Sequence, residues 1–135
     1  PYRLPDGDEW LRAASGMPKE SPCRLGNVDD VNRPSRLDND RWSCDDGAAR
    51  TAPVGRYAAS AFGVRDMYGN VSEWLAGGGP GSRPFRGVSW RDGSHESPLG
   101  SRGTADPDVG YTSVGFRVMR VIDPAHPAPA AASGD

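Results

Sequence analysis

Hydrophobic and polar positions follow helical spacing in one short stretch only. Asp6 and Glu9 stand three residues apart, as a capping-box pair does, and Trp10 and Ala14 follow on one face. Gly16 supplies a left-handed stop, so a short helix is predicted between Asp6 and Gly16, with Trp10 anchored in the core. Further on the period shortens to two. Pro53–Tyr57 reads as a strand edge, and Phe85–Trp90 alternates like a half-buried strand. Val114–Val121 alternates likewise, placing Val114, Phe116, Val118 and Arg120 on one face. Residues 17–55 show no period at all and are rich in Asp, Asn, Pro and Arg. Such a stretch is either disordered or pinned by something other than a core, namely metal ligation or a disulfide. Residues 123–135, mostly Pro, Ala, Ser and Gly, have nothing to bury and are expected to be a flexible tail that includes His126.

Composition sharpens this picture. Only 20 of the 135 residues are Leu, Ile, Val or Phe, while Gly and Pro number 18 and 13, so the core must be thin and the turns many. The length suits one domain. No helical bundle is possible without sustained 3.6-residue periodicity, and no run approaches the roughly 18 apolar residues of a membrane span. No secretory leader is read, and Pro1 reads as a cut or mature end. Net charge is -2, and the basic residues, 15 Arg and one Lys, form no block or stripe. A nucleic-acid partner therefore has no support. Cys23 and Cys44 cannot by themselves make a zinc site; they are either a disulfide or two buried thiols, depending on compartment. An extracellular or cell-surface setting is favoured over the cytoplasm.

One constellation carries candidate chemistry. Asp66-Met67-Tyr68-Gly69-Asn70-Val71-Ser72-Glu73 sets two carboxylates seven residues apart with Gly and Asn between. A turn there can aim the side chains of Asp66 and Glu73 and the carbonyls of Gly69 and Val71 at one hard cation, and calcium takes such mixed oxygen shells.

The ordered series Tyr2-Arg3-Leu4-Pro5, Glu9-Trp10, Gly26-Asn27, Pro53-Val54-Gly55, Phe62-Gly63-Val64, Asp66-Met67, Gly69-Asn70-Val71, Glu73-Trp74, Arg86-Gly87, Ser89-Trp90 and Gly115-Phe116-Arg117 resembles the formylglycine-generating enzyme (sulfatase-modifying factor) family. The resemblance spans residues 2–121. It implies an α+β, C-type-lectin-like fold over 1–122, with short helices, small mixed or antiparallel sheets and long loops pinned by calcium. The usual family domain also has an N-terminal half with no counterpart in this sequence, so a fragment and a minimal version are both open. The resemblance assigns the first calcium site to the 66–73 turn. It maps a second onto Asn27, the carbonyl of Val28, Asp46 and the carbonyl of Ala48.

The family's enzyme holds Cu(I) between cysteines at the second and seventh positions after the Gly-x-Ser-Trp block. Here those positions are Asp92 and Ser97, neither a soft ligand, so no copper is expected. Ser72 stands where the enzymes commonly have Trp. His95 and His126 are the only histidines, too few for an iron site of the kind other members use, and no Ser-His-Asp triad can be argued. Catalytic residues are therefore not assigned.

The resemblance also extends to the variable proteins of diversity-generating retroelements, which hypermutate a C-terminal segment ending near the Gly-Phe-Arg strand. Residues 83–120 look like such a segment. The residues of the 104–113 stretch are all reachable by adenine mutation of AAC codons; Glu96 is not, and Val88 interrupts the usual Gly-Gly-Ser-Trp. A recognition surface is expected from Trp90, Arg91, Asp92, Ser94, His95, Thr104, Asp106, Asp108, Tyr111 and Thr112, facing an unknown protein or cell-surface ligand. Two alternatives stay open: an oxidase of the formylglycine-generating type, or a degenerate relative of it, and a structural accessory domain of a larger protein.

Overall fold

The structure, a computed structural model, describes residues 1–33, 40–123 and 125. His126 and nearly all of the expected tail lie outside the described residues. Strand β1 (Tyr2–Arg3) leads into helix α1 (Gly7–Ala14). The predicted capping box is present in full: Asp6 Oδ1 accepts from the N–H groups of Asp8 and Glu9 at 3.0 and 2.9 Å, and Glu9 Oε2 accepts from the Asp6 N–H at 2.9 Å. The helix closes on Ser15, whose N–H and hydroxyl both reach the Arg12 carbonyl, and Gly16 turns away at φ +72°. Trp10 and Ala14 are buried with Met67 and Leu75, and Leu11, Ala13, Met17, Val64 and Leu99 pack around them. The core is as thin as the composition requires.

After the one-turn helix α2 (Pro22–Leu25), residues 26–33 and 40–71 carry no strand or helix. They are held by polar contacts and by a Cys23–Cys44 disulfide. The backbone crosses itself closely here. A Cβ on Gly69, which sits at φ +81°, would lie 2.1 Å from the Asn27 carbonyl oxygen, so only glycine admits this contact.

Strands β2 (Ser72–Trp74), β3 (Arg83–Arg86), β4 (Arg102–Ala105) and β5 (Val114–Gly115) make a mixed sheet in the order β4-β3-β2-β5. Only β2 and β5 are parallel, with Ser72 opposite Val114 and Glu73 opposite Gly115. Strand β6 (Met119–Arg120) returns to β1, pairing Tyr2 with Arg120 and Arg3 with Met119.

Three predicted strands are corrected. Residues 53–57 form a turn, tied by the Gly55 N–H to Asp66 Oδ2 at 2.5 Å. The strand beginning before Phe85 ends at Arg86, because Gly87 (φ +85°) bends under the Trp10 ring, where a Cβ would meet Cζ2 at 3.0 Å. The 114–121 stretch breaks into β5 and β6. Phe116 and Val118 are 69% and 53% exposed, and Arg117 turns inward instead. A buried carboxylate demands a partner more strongly than two apolar side chains demand a face.

Candidate functional site

The buried carboxylate is Glu73, 5% exposed on β2. Its Oε2 accepts from the Trp10 indole N–H and from Arg117 Nε, and its Oε1 from Arg117 Nη2, each at 2.6 Å. The same guanidinium reaches the carbonyls of Arg65 and Asp66. Glu73 thus pins helix, sheet and the 66–70 turn to one another. Of the roughly four lone pairs of a carboxylate it keeps one, on Oε1. Asp66 (φ +58°) and Asn70 (φ +65°) hold that turn in the left-handed region. A cavity of about 200 Å³ opens there, lined among others by Asp66, Asn70, Val71, Glu73 and Arg117. Gly69 lies in the same turn, against Asn27.

Asn27 crosses this turn and begins a second cluster. The Asn70 N–H donates to the Asn27 carbonyl at 2.7 Å, and the Asn27 side-chain amide donates to Asn70 Oδ1 at 3.0 Å and to the Arg50 carbonyl at 2.6 Å. The Asn70 amide in turn clasps Ala52 through both its N–H and its carbonyl. Asp46 accepts from the Val28 N–H at 2.7 Å and the Ala48 N–H at 2.8 Å, which joins three of the four residues that the resemblance maps to the second site, with Asn27 next to Val28 in the chain. Asp30, fully buried, accepts from the Asp46 N–H at 2.6 Å. Burial, and after it the backbone donors and the negative charge of Asp30, set the Asp46 carboxyl, with a net shift upward. Cys23 Sγ lies with oxygens of Asp30 and Asp46 inside one 4.8 Å cluster, but it is spent in the disulfide.

Among the described residues, two buried side-chain oxygens lack any hydrogen-bond donor: Asn27 Oδ1 and Asp66 Oδ1. Each falls in one of the two expected cation sites. Both Asn27 amide protons face acceptors, which fixes the orientation of Oδ1. An unsatisfied buried oxygen costs on the order of 1–3 kcal/mol. Hard oxygens with an unfilled lone pair suit calcium, so the residues present fit that ion.

The residues expected to form a recognition surface lie along two surface bends joined by Trp90. Its N–H donates to the Asn70 carbonyl at 2.9 Å, and its indole N–H to the Thr112 carbonyl at 3.2 Å. The Arg33 guanidinium lies over its ring at 5.8 Å and also reaches the Arg91 carbonyl. Asp40 accepts from the Ser94 hydroxyl at 2.8 Å and pairs with His95; the Ser94 bond first, then His95, hold its carboxyl below the usual range. On the second bend Asp106 caps the Asp108 N–H, and Tyr111 meets the Trp74 ring edge-on at 6.0 Å. Arg91, His95, Thr104, Asp108, Tyr111 and Thr112 are exposed; Trp90, Asp92, Ser94 and Asp106 are half-buried. Asp92 turns inward, accepting from the Ser89 N–H at 2.6 Å and hydroxyl at 2.8 Å, and Ser97 Oγ accepts from the Gly100 N–H at 3.1 Å. Sequence reasoning missed Asn70, Asp30, Arg33, Asp40 and Arg117. Of these, Asn70, inside the Gly69-Asn70-Val71 block, and Arg117, inside the Gly-Phe-Arg block, carried a signal.

A small mixed sheet, short helices and long polar loops crossed at an Asn-Asn junction define a C-type-lectin-like domain. Residues 1–122 match the model described as "Sulfatase-modifying factor enzyme 1-like domain", and the chain belongs to that family. It is 33% identical over 129 residues to the mouse (Mus musculus) "Inactive C-alpha-formylglycine-generating enzyme 2", covering 85% of this chain and 42% of that protein. In structure it is similar to CarF, with a TM-score of 0.63, 28% identity and coverage of 90% of this chain and 48% of CarF. It is also similar to Treponema denticola variable protein 1, with a TM-score of 0.57, 25% identity and coverage of 87% and 46%. The chain spans less than half the length of each of these. Among the described residues no helix is long and apolar enough to cross a membrane.

Proposed function

We propose that the chain is a non-catalytic ligand-binding protein. It displays the 91–97 and 104–113 bends on a calcium-held lectin-type scaffold, in the manner of a retroelement variable protein. The observation that carries this reading is the chemistry at Asp92 and Ser97. Where the oxidising enzymes of the family place copper thiolates, this chain has two oxygen-bearing side chains, each spent on capping its own turn. A soft monovalent copper ion finds no thiolate pair there. The cysteines are joined to each other elsewhere. The relative named as inactive and the neighbour named as a variable protein both support the reading.

Calcium would be held by Asp66, Glu73 and the carbonyls of Gly69 and Val71 at one site, and by Asn27, Asp46 and the carbonyls of Val28 and Ala48 at the other. When bound it supplies positive charge to buried oxygens and ties the loops together. The protein or cell-surface partner meets the exposed set Arg91, His95, Thr104, Asp108, Tyr111 and Thr112. The disulfide supports an oxidising, extracellular or surface setting.

Two measurements test this. With Cu(I) and a cysteine-containing peptide, no oxygen uptake above the protein-free rate is expected; sustained turnover would refute the non-catalytic reading. A DNA repeat near the coding sequence, matching codons 83–120 except at adenines, is expected beside it, and its absence removes the retroelement assignment.

A further inference from the structure

Between the head of α1 and the strands β3 and β4 lies a groove of about 560 Å³. Leu75, Ala76 and Pro84 wall it, and Arg86, Arg102 and Thr104 rim it. Apart from Thr104, it shares no residue with the two oxygen-lined turns or the recognition bends. The strand register places Arg86 directly opposite Arg102, with Pro84 opposite Thr104 two positions along on the same face. Like charges facing each other across an antiparallel pair destabilise the sheet, so an anion between them would relieve the repulsion.

The chain does not provide one. Glu73 is the next member of the same row, opposite Arg86, but its charge is paired with Arg117 and its carboxylate turns to that guanidinium and the Trp10 indole. Asp6 and Glu9, at the head of α1, are spent in the capping box and on Arg3. Exposed Asp8 pairs with neither arginine. Arg86, half-buried, reaches only the Leu99 carbonyl at 3.4 Å, and the Arg102 side chain makes no hydrogen bond or ion pair with the described residues. Gly7 flanks Arg86: a Cβ there would lie in ordinary contact, 3.5 Å from Arg86 Nε.

We propose that this groove binds a small organic carboxylate, its acid group between Arg86 and Arg102 and its hydrocarbon body against Leu75, Ala76 and Pro84. Two guanidiniums select the carboxylate by charge-assisted, fork-like hydrogen bonding. The apolar wall selects a carbon body over a bare inorganic anion, because burying it releases water from both surfaces. A neutral apolar molecule leaves the two arginines as uncompensated as before.

The experiment is an amide-resolved NMR titration of the isotopically labelled full chain with hexanoate, hexanol and inorganic phosphate in parallel. Hexanoate should give saturable shifts confined to Gly7, Leu75, Ala76, Phe85, Arg86 and Arg102–Thr104. Hexanol and phosphate should bind about tenfold more weakly or worse. Arg102→Met, on an exposed edge strand, should cut hexanoate affinity roughly ten- to hundredfold with the rest of the spectrum unchanged, and Arg102→Lys should restore part of it. The proposal is overturned if hexanol or phosphate binds as well as hexanoate, if the shifts lie elsewhere, or if Arg102→Met binds like the parent. Concentration-dependent self-association that shifts these same amides without any probe would assign the groove to a second copy, and would overturn it equally.

Discussion

At Glu73 a single side chain joins sheet, helix and turn. Its carboxylate is buried and meets donors 44 residues downstream and 63 residues upstream, so it closes contacts between sheet, helix and turn at once. Removing Arg117 leaves that charge buried and unpaired, which costs about 3–5 kcal/mol. Arg117→Met is therefore expected to lower unfolding free energy by that amount in urea denaturation, and Trp10→Phe, which deletes one donor but keeps most of the ring, by about 1–3 kcal/mol. Because both act on one carboxylate, their effects should fall short of additive in a double-mutant cycle. The sequence sets Asp66 and Glu73 seven residues apart; both line the cavity beside the 66–70 turn, with Glu73 on β2. It could not show that Glu73 is already engaged, since both partners are remote and an indole or an arginine looks alike in the primary text whether it faces a carboxylate or water. Asn70 escaped for the same reason: its amide serves Asn27 and Ala52, each in a loop with no periodicity to place it.

Helix α1 was legible because everything that makes it is local. Asp6, Glu9, Trp10 and Ala14 lie within two turns, and capping and packing follow from spacing alone. Its acid behaviour follows too. The Arg3 hydrogen bond, and then the Asp6 backbone N–H, bring the Glu9 carboxyl from 4.5 down to about 2. A depressed carboxyl stabilises the fold above its ordinary value and loses that contribution as the pH drops toward its folded value. The stability gap between the parent and Glu9→Gln should hold at neutral pH and close between about 4.5 and 2 in a pH series of thermal melts. The strands were less legible. Alternation continued on paper through Gly87 and Arg117, where the chain in fact bends under Trp10 or turns in toward Glu73. Period-two text records what a strand would bury, not the long-range contact that interrupts it.

For the molecule as a whole, cross-links and buried polar contacts replace a large core. The Cys23–Cys44 bridge spans 21 positions, and closing a loop of that size contributes about 3 kcal/mol in the chain-entropy description. The Cys23→Ser/Cys44→Ser double variant should lose about that much, measured by denaturant unfolding. The proposed calcium makes its own whole-molecule prediction. The melting temperature should rise with calcium and fall with a chelator, by the equivalent of about 2.7 kcal/mol at a hundredfold excess over Kd, and Asp66→Ala should blunt the response. A melting temperature indifferent to calcium would remove the ion from the scaffold. Fold class and family were readable from spaced blocks of residues, because those blocks mark the turns and crossings that the fold needs. The groove over Arg86 and Arg102 was not readable, since it exists only once β3 and β4 are in register.

The β1–β6 pair carries a consequence for architecture. Tyr2 sits beside Arg120, so the first and last strands close on each other, and the 91–97 and 104–113 bends hang from a loop of chain whose two feet are clasped together.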